Sequence, residues 1–157
     1  MRKNTRKITA IALFGIGLIL SSCGSNTHAT GNINGLWSAA LSSSGAETFK
    51  FMTDITVNAD GSLGSSSFNI TLNNTPCTFP STTESGSFTI SGNFNGQVSG
   101  TFQYIITSTG AEVNTLILDG TVTNGVITGT WKVSGATSNC TGSGTFTMSP
   151  VLVPAQH

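Results

Sequence analysis

Asn124-Gly-Val-Ile-Thr-Gly-Thr-Trp-Lys-Val133 carries the reading of the fold. Ile127, Gly129, Trp131 and Val133 share one parity, and Thr128, Thr130 and Lys132 take the other. A period of two places the first set on one face of a strand and the second on the opposite face, apolar inside and wet outside. The leading Asn124-Gly125 accepts the positive φ angles of a tight hairpin. Nearly the same unit occurs 29 residues earlier as Asn95-Gly-Gln-Val-Ser-Gly-Thr-Phe102, and Gly144-Thr145-Phe146 echoes its end. In these units Gly100, Gly129 and Gly144 have inward parity beside an aromatic residue. Inward glycines let a sheet coil sharply, and neighbouring rings fill the space they leave or make room for a ligand.

The same alternation extends through the chain from Ile33. Phe49, Phe51, Ile55 and Val57 alternate with Lys50, Met52, Asp54 and Thr56, and Phe68-Ile70-Leu72, Phe88-Ile90, Val98-Phe102-Tyr104-Ile106 and Leu116-Leu118-Val122 follow. Turn signals separate the runs at Asp60-Gly61, Asn95-Gly96, Thr109-Gly110, Asn124-Gly125 and Gly135-Ala136-Thr137-Ser138. Eight strands result, near 33–43, 47–58, 61–72, 85–94, 97–108, 112–123, 125–134 and 140–149. Short links pair neighbours in order, and closing the sheet on itself removes its edges. The predicted fold is all-β: an eight-stranded antiparallel up-and-down meander barrel over residues 33–151, with a short tail at 152–157.

The N-terminus reads differently. Arg2, Lys3, Arg6 and Lys7 precede an apolar run of 13 residues, Ile8 to Leu20, and then Ser21-Ser22-Cys23. A spanning helix needs about 20 apolar residues, so this is the pattern of a secretory signal. Leu20-Ser21-Ser22-Cys23 resembles the lipobox of bacterial lipoproteins. The resemblance implies a signal peptide over 1–22, cleavage before Cys23, a diacylglyceryl group on its thiol, and acylation (palmitate being typical) of the new amino group. It implies an extracytoplasmic protein held to the cell membrane by lipid. Gly24 follows the cysteine where inner-membrane lipoproteins tend to carry Asp, so a Gram-negative source would place it at the outer membrane. Two or three acyl chains anchor firmly where one holds marginally. Residues 24–32 are small and polar and read as a flexible tether reaching about 30 Å at full stretch.

From Cys23 onward 135 residues remain, enough for one domain. Lys50 and Lys132 against six acids leave a net charge of −4, with no arginine. Phosphate-gripping proteins need a basic stripe, so nucleic acid is excluded as a partner. A membrane-embedded barrel is excluded by polarity, because the face opposite the aromatics carries Thr, Ser, Asn and Lys.

Gly35-Leu36-Trp37 resembles the Gly-x-Trp that opens lipocalins and avidin-like proteins, eight-stranded meander barrels that hold small molecules; bacterial lipoproteins with Gly/Thr-rich strands and a paired cysteine look similar as well. The resemblance implies the barrel shape. It does not extend to a named ligand: lipocalins carry an Arg against that Trp and avidin-like sites several Trp, whereas this domain has no Arg and only Trp37 and Trp131.

With Cys23 assigned to lipid, Cys77 and Cys140 remain in an oxidising compartment and are expected to form a disulfide; free thiols are the alternative, and a redox-active pair lacks Cys-x-x-Cys spacing. No catalytic residues, metal ligands or cofactor motif emerge. His28 falls in the tether and His157 at the last position, the many serines have no positioned base, and Asp54 and Asp119 do not form a carboxylate pair across a cleft. The expectation is therefore a non-enzyme with no cofactor. Two roles remain open. Either the barrel binds a small apolar or amphipathic molecule in its mouth, with Trp37, Phe51, Phe102 and Trp131 as lining candidates, or it is a packed scaffold whose outer face or loops meet another envelope component.

The anchor yields the first prediction. Cys23→Ala should leave the chain soluble and uncut before position 23 after cell fractionation, whereas a cut form retained on the membrane would refute the lipid attachment.

Overall fold

A computed structural model describes residues 33–94 and 97–152. Cys23, the signal segment, the tether, His28, His157 and the Asn95-Gly96 turn lie outside the described residues. Eight antiparallel strands run in sequence: β1 Gly35–Ser43, β2 Ala46–Val57, β3 Leu63–Asn73, β4 Thr82–Phe94, β5 Gln97–Ser108, β6 Asn114–Thr123, β7 Val126–Gly135 and β8 Thr141–Pro150. They form one sheet in the order β3-β2-β1-β8-β7-β6-β5-β4. β1 and β8 pair from Trp37↔Pro150 to Ser42↔Thr145, so the meander curls into a nearly closed, lipocalin-like barrel, as the alternation predicts.

The inward set is apolar and buried. Trp37, Ala39 and Leu41 of β1, Phe49, Phe51 and Ile55 of β2, Leu116, Leu118 and Val122 of β6, and Phe146 and Met148 of β8 all belong to one core. Tight turns sit where φ must be positive: Asn124 and Gly125 at 53° and 72°, and Ser44 and Gly45 at 52° and 82°. The second of these turns is Ser-Gly and carries no Asn or Asp.

Closure depends on residues without side chains. Gly120 of β6 faces Gly129 of β7, flanked by Phe102 of β5 and Phe146 of β8. A Cβ on Gly129 would lie 2.0 Å from the Asp119 carbonyl oxygen, and one on Gly144 would lie 1.9 Å from the Ser42 carbonyl oxygen. Rings cover these positions: Phe146 Cζ is 2.9 Å from the Cβ site of Gly120, and Trp131 Nε1 is 2.9 Å from that of Gly144. Aromatic rings thus occupy the volume that the glycines vacate.

Two expectations need correction. Neighbours pair in order everywhere except between β3 and β4, which are the two edges of the sheet. Among the described residues, the backbone stitches that seam at Ser62↔Ser87 and through the bond from Phe88 N–H to the Gly61 carbonyl, 2.8 Å. The physical reason lies in the connection 74–81. Asn73 bends it by accepting from Thr75 N–H at 2.9 Å and donating to the Cys77 carbonyl at 2.7 Å, and Pro76 and Pro80 have no N–H to extend a ladder. The second correction concerns Leu72, which does not share the inward face of Phe68 and Ile70. Register skips Thr71, pairing Lys50 with Leu72 and Phe51 with Ile70, and this bulge turns Leu72 to the outside with Lys50.

Glycine positions supply a matched pair of substitutions. Gly144→Ala should cost more than about 3 kcal/mol or prevent folding, because its methyl meets backbone. Gly64→Ala, whose Cβ would sit 3.9 Å from its nearest neighbour, should change stability by less than about 1 kcal/mol. Denaturant unfolding of both variants decides; equal losses would refute glycine-dependent closure.

Candidate functional site

The four aromatic candidates do not converge on one mouth. Trp37 is 2% exposed and its Nε1 donates to the Ile33 carbonyl at 2.8 Å, which binds it to the end of the barrel where the described chain begins. Trp131, 3% exposed, lies toward the opposite end, and its Nε1 donates to the Ser42 carbonyl at 3.1 Å. That bond satisfies an oxygen at the bulge between Leu41 and Ser42. Phe51 and Phe102 lie between, each packed against Tyr104 with ring centroids 6.4 and 6.2 Å away. All four are wall and filling at once.

The mouth farther from Ile33 is crossed by the 74–81 connection. Cys77 is bonded to Cys140, with Cα atoms 4.7 Å apart, which carries the connection from the seam to the opposite wall between β7 and β8. Phe79 then comes down on Phe49, ring centroids 5.8 Å apart. The space beneath, ringed by Leu41, Phe49, Leu116, Trp131 and Val133, is about 10 Å³, which is room for one water at most. Asn114 locks the lid from the side. Fully buried, it donates from Nδ2 to the Thr78 carbonyl at 2.9 Å and to Thr137 Oγ1 at 2.6 Å, and its Oδ1 accepts from Thr137 N–H at 3.2 Å. One amide therefore ties two loops to the start of β6. The disulfide closes a sequence separation of 63 and stabilises by roughly 4 kcal/mol in the chain-entropy account.

Besides Asn114 and Ser108, the buried polar chemistry among the described residues is a string of hydroxyls. Thr53 Oγ1 lies 2.8 Å from the Tyr104 hydroxyl and 3.0 Å from Ser65 Oγ, and Ser65 Oγ donates to the Ser67 carbonyl at 2.9 Å. Thr53 has inward parity between Phe51 and Ile55, a signal present in the sequence; its partners on β3 and β5 are not. Burial pushes the Tyr104 phenol above its ordinary value of 10.0, the hydroxyls of Ser65 and Thr53 pull it down, and the Glu84 carboxylate raises it further. Every member is neutral and hydrogen-bonded, so the string fixes the span from β5 to β2 and β3 without supplying a base.

A second candidate lies outside. The outer face of β4, β5 and β6 carries a groove of about 330 Å³ lined by Ser87, Thr101, Gln103 and Asp119, with Phe102 and Gly120 at its floor. Gln103 Nε2 donates to Asp119 Oδ1 at 2.7 Å, which holds the carboxylate in place on the rim. Asp119 stands mid-strand on β6, on the exposed parity. Among the described residues no three of His, Cys, Asp and Glu cluster to hold a metal.

Tyr104 is the only tyrosine, so its ionisation can be read directly. Its folded value is raised, so above pH 10 the unfolded chain sheds this proton first and stability falls as pH rises. Alkaline titration of the tyrosinate absorbance should give a higher midpoint for native than for denatured protein. A native midpoint at or below the denatured one would overturn the buried string.

Comparison with protein-family models, with characterised proteins and with solved structures finds no match.

Proposed function

We propose that the chain is a lipid-anchored lipoprotein of the bacterial cell envelope, whose barrel is a non-catalytic scaffold meeting another envelope component through its outside. The address rests on the basic n-region, the short apolar run and the lipobox-like Leu20-Ser21-Ser22-Cys23. The mode of action rests on one observation above the rest: the aromatics that would line a ligand cup are consumed by the wall. Trp131 fills the Gly144 gap, Trp37 is hydrogen-bonded to Ile33, and Phe79 occupies the far mouth over a void of about 10 Å³. Small-molecule sites usually need several hundred Å³. An apolar ligand in that mouth would have to displace the disulfide-held connection.

The outside, by contrast, is available. On β7 and β8 exposed Thr128, Thr130, Thr145 and Thr147 form the outer face, and the groove on β4–β6 continues it. A rigid barrel at the end of a short tether presents this face within about 30 Å of the membrane.

Native mass spectrometry of the purified lipidated chain is the test. The expected mass is the acylated polypeptide alone. A stoichiometric apolar small molecule would overturn the packed-scaffold reading and restore the ligand-binding one.

A further inference from the structure

We propose that the groove on the outer face of β4–β6 is a seat for an uncharged glycan strand, with Asp119 and Gln103 as its polar contacts; this rests on the reading that the barrel acts through its exterior. The groove's volume, about 330 Å³, lies at the lower end of the range of small-molecule sites. Its lining is hydroxyl, amide and carboxylate. The bond from Gln103 Nε2 to Asp119 Oδ1 ties the two side chains together and leaves Asp119 Oδ2 and Gln103 Oε1 as acceptors on residues in register on neighbouring strands. Two acceptors on paired strands suit a ligand that donates from adjacent hydroxyls. Charge-assisted bonds of this kind are the strong members of a polar contact set.

The surroundings select the ligand class. Asp119 and Lys132 are the charged residues of β5–β8, so phosphate-rich and polyanionic partners find no cationic stripe. Exposed Tyr, Trp or Arg, the side chains that dominate protein–protein hot spots, are absent among the described residues of this face. Acyl chains would meet hydroxyls. Beside the groove Thr101, Thr121, Thr128 and Thr147 stand in cross-strand register on four successive strands, all exposed, and extend a neutral hydroxyl surface away from the seat. A polymer rich in hydroxyls, uncharged and long enough to run from the seat along that row meets all of these conditions.

The full lipidated chain in detergent micelles should co-sediment with insoluble chitin or cellulose, both uncharged glycans, and should do so equally at low and high salt. Asp119→Ala should weaken retention about tenfold, the loss expected for one hydrogen bond to a charged acceptor, and Gln103→Ala should weaken it too. Glu47→Ala, on the other side of the barrel in an exposed ion pair with Lys50, should leave it unchanged. No sedimentation with either glycan, or full retention by Asp119→Ala folded with its disulfide intact, overturns the proposal. If cross-linking then traps a protein on this face, the glycan seat falls and the exterior-acting scaffold stands; a bound apolar ligand in the native mass spectrum removes the scaffold reading itself.

Discussion

Gly120 and Gly129 face each other across β6 and β7 with no side chain between them. A Cβ on Gly129 would stand 2.5 Å from the Gly120 Cα, closer than any side-chain-bearing pair tolerates. The sheet is therefore free to bend inward along the row Phe102, Gly120, Gly129, Phe146. That bend lets β8 come round to β1, and the rings at either end of the row fill the inner volume. Coiling and packing are one event, because the glycines that permit the curvature also define the space the rings occupy. The same row shapes the outside. Over the Phe102–Gly120 pair lies the groove rimmed by Gln103 and Asp119, so inner packing and outer concavity have a common cause.

Closure at the seam follows a different logic. Where β3 and β4 fail to pair, edges would invite other strands. β3 is bent by register shifts near Thr71 and Ser66, which spoil it as a flat template. The connection between the two edges is drawn across the mouth by Cys77–Cys140 and held there by Asn114. The interior string from Tyr104 through Thr53 to Ser65 braces the barrel on the same side, tying β5 to β2 and β3. Covalent, amide and hydroxyl links replace a missing ladder, and their combined contribution of several kcal/mol is comparable to a small domain's net stability.

Much of this was legible in the residues. Period-two alternation with Asn-Gly and Asp-Gly turns is a local signal, and it fixes which side chains face inward before any partner is known. The inward glycines of the repeat pointed to coiling for the same reason. What stayed hidden was non-local. The bulge that turns Leu72 outward depends on the pairing of β3 with β2, and a one-residue slip reverses a face. Thr53 and Asn114 share the inward parity of their strands and are fully buried, but the partners that satisfy them, Tyr104 and Ser65 for one and Thr78 and Thr137 for the other, are not marked in the sequence. The aromatic candidates were placed on the correct face, but parity cannot tell a lining residue from a filling one. That difference lies in volumes, here the ring of Trp131 against the gap at Gly144.

Volume also decides where recognition can occur. A barrel this small must choose between an empty centre and a filled one, since rings that close glycine gaps cannot also yield to a guest without reopening the backbone approach they cover. Filling the centre with Trp131, Phe146 and Phe102 leaves variation to the outer positions, which alternate independently along every strand. There the chain has placed hydroxyls in register instead of charges or rings. Such a face gains little from any single contact. A partner that meets it must offer hydroxyls in return over several strands, and a rigid sheet lowers the ordering cost of making those contacts together.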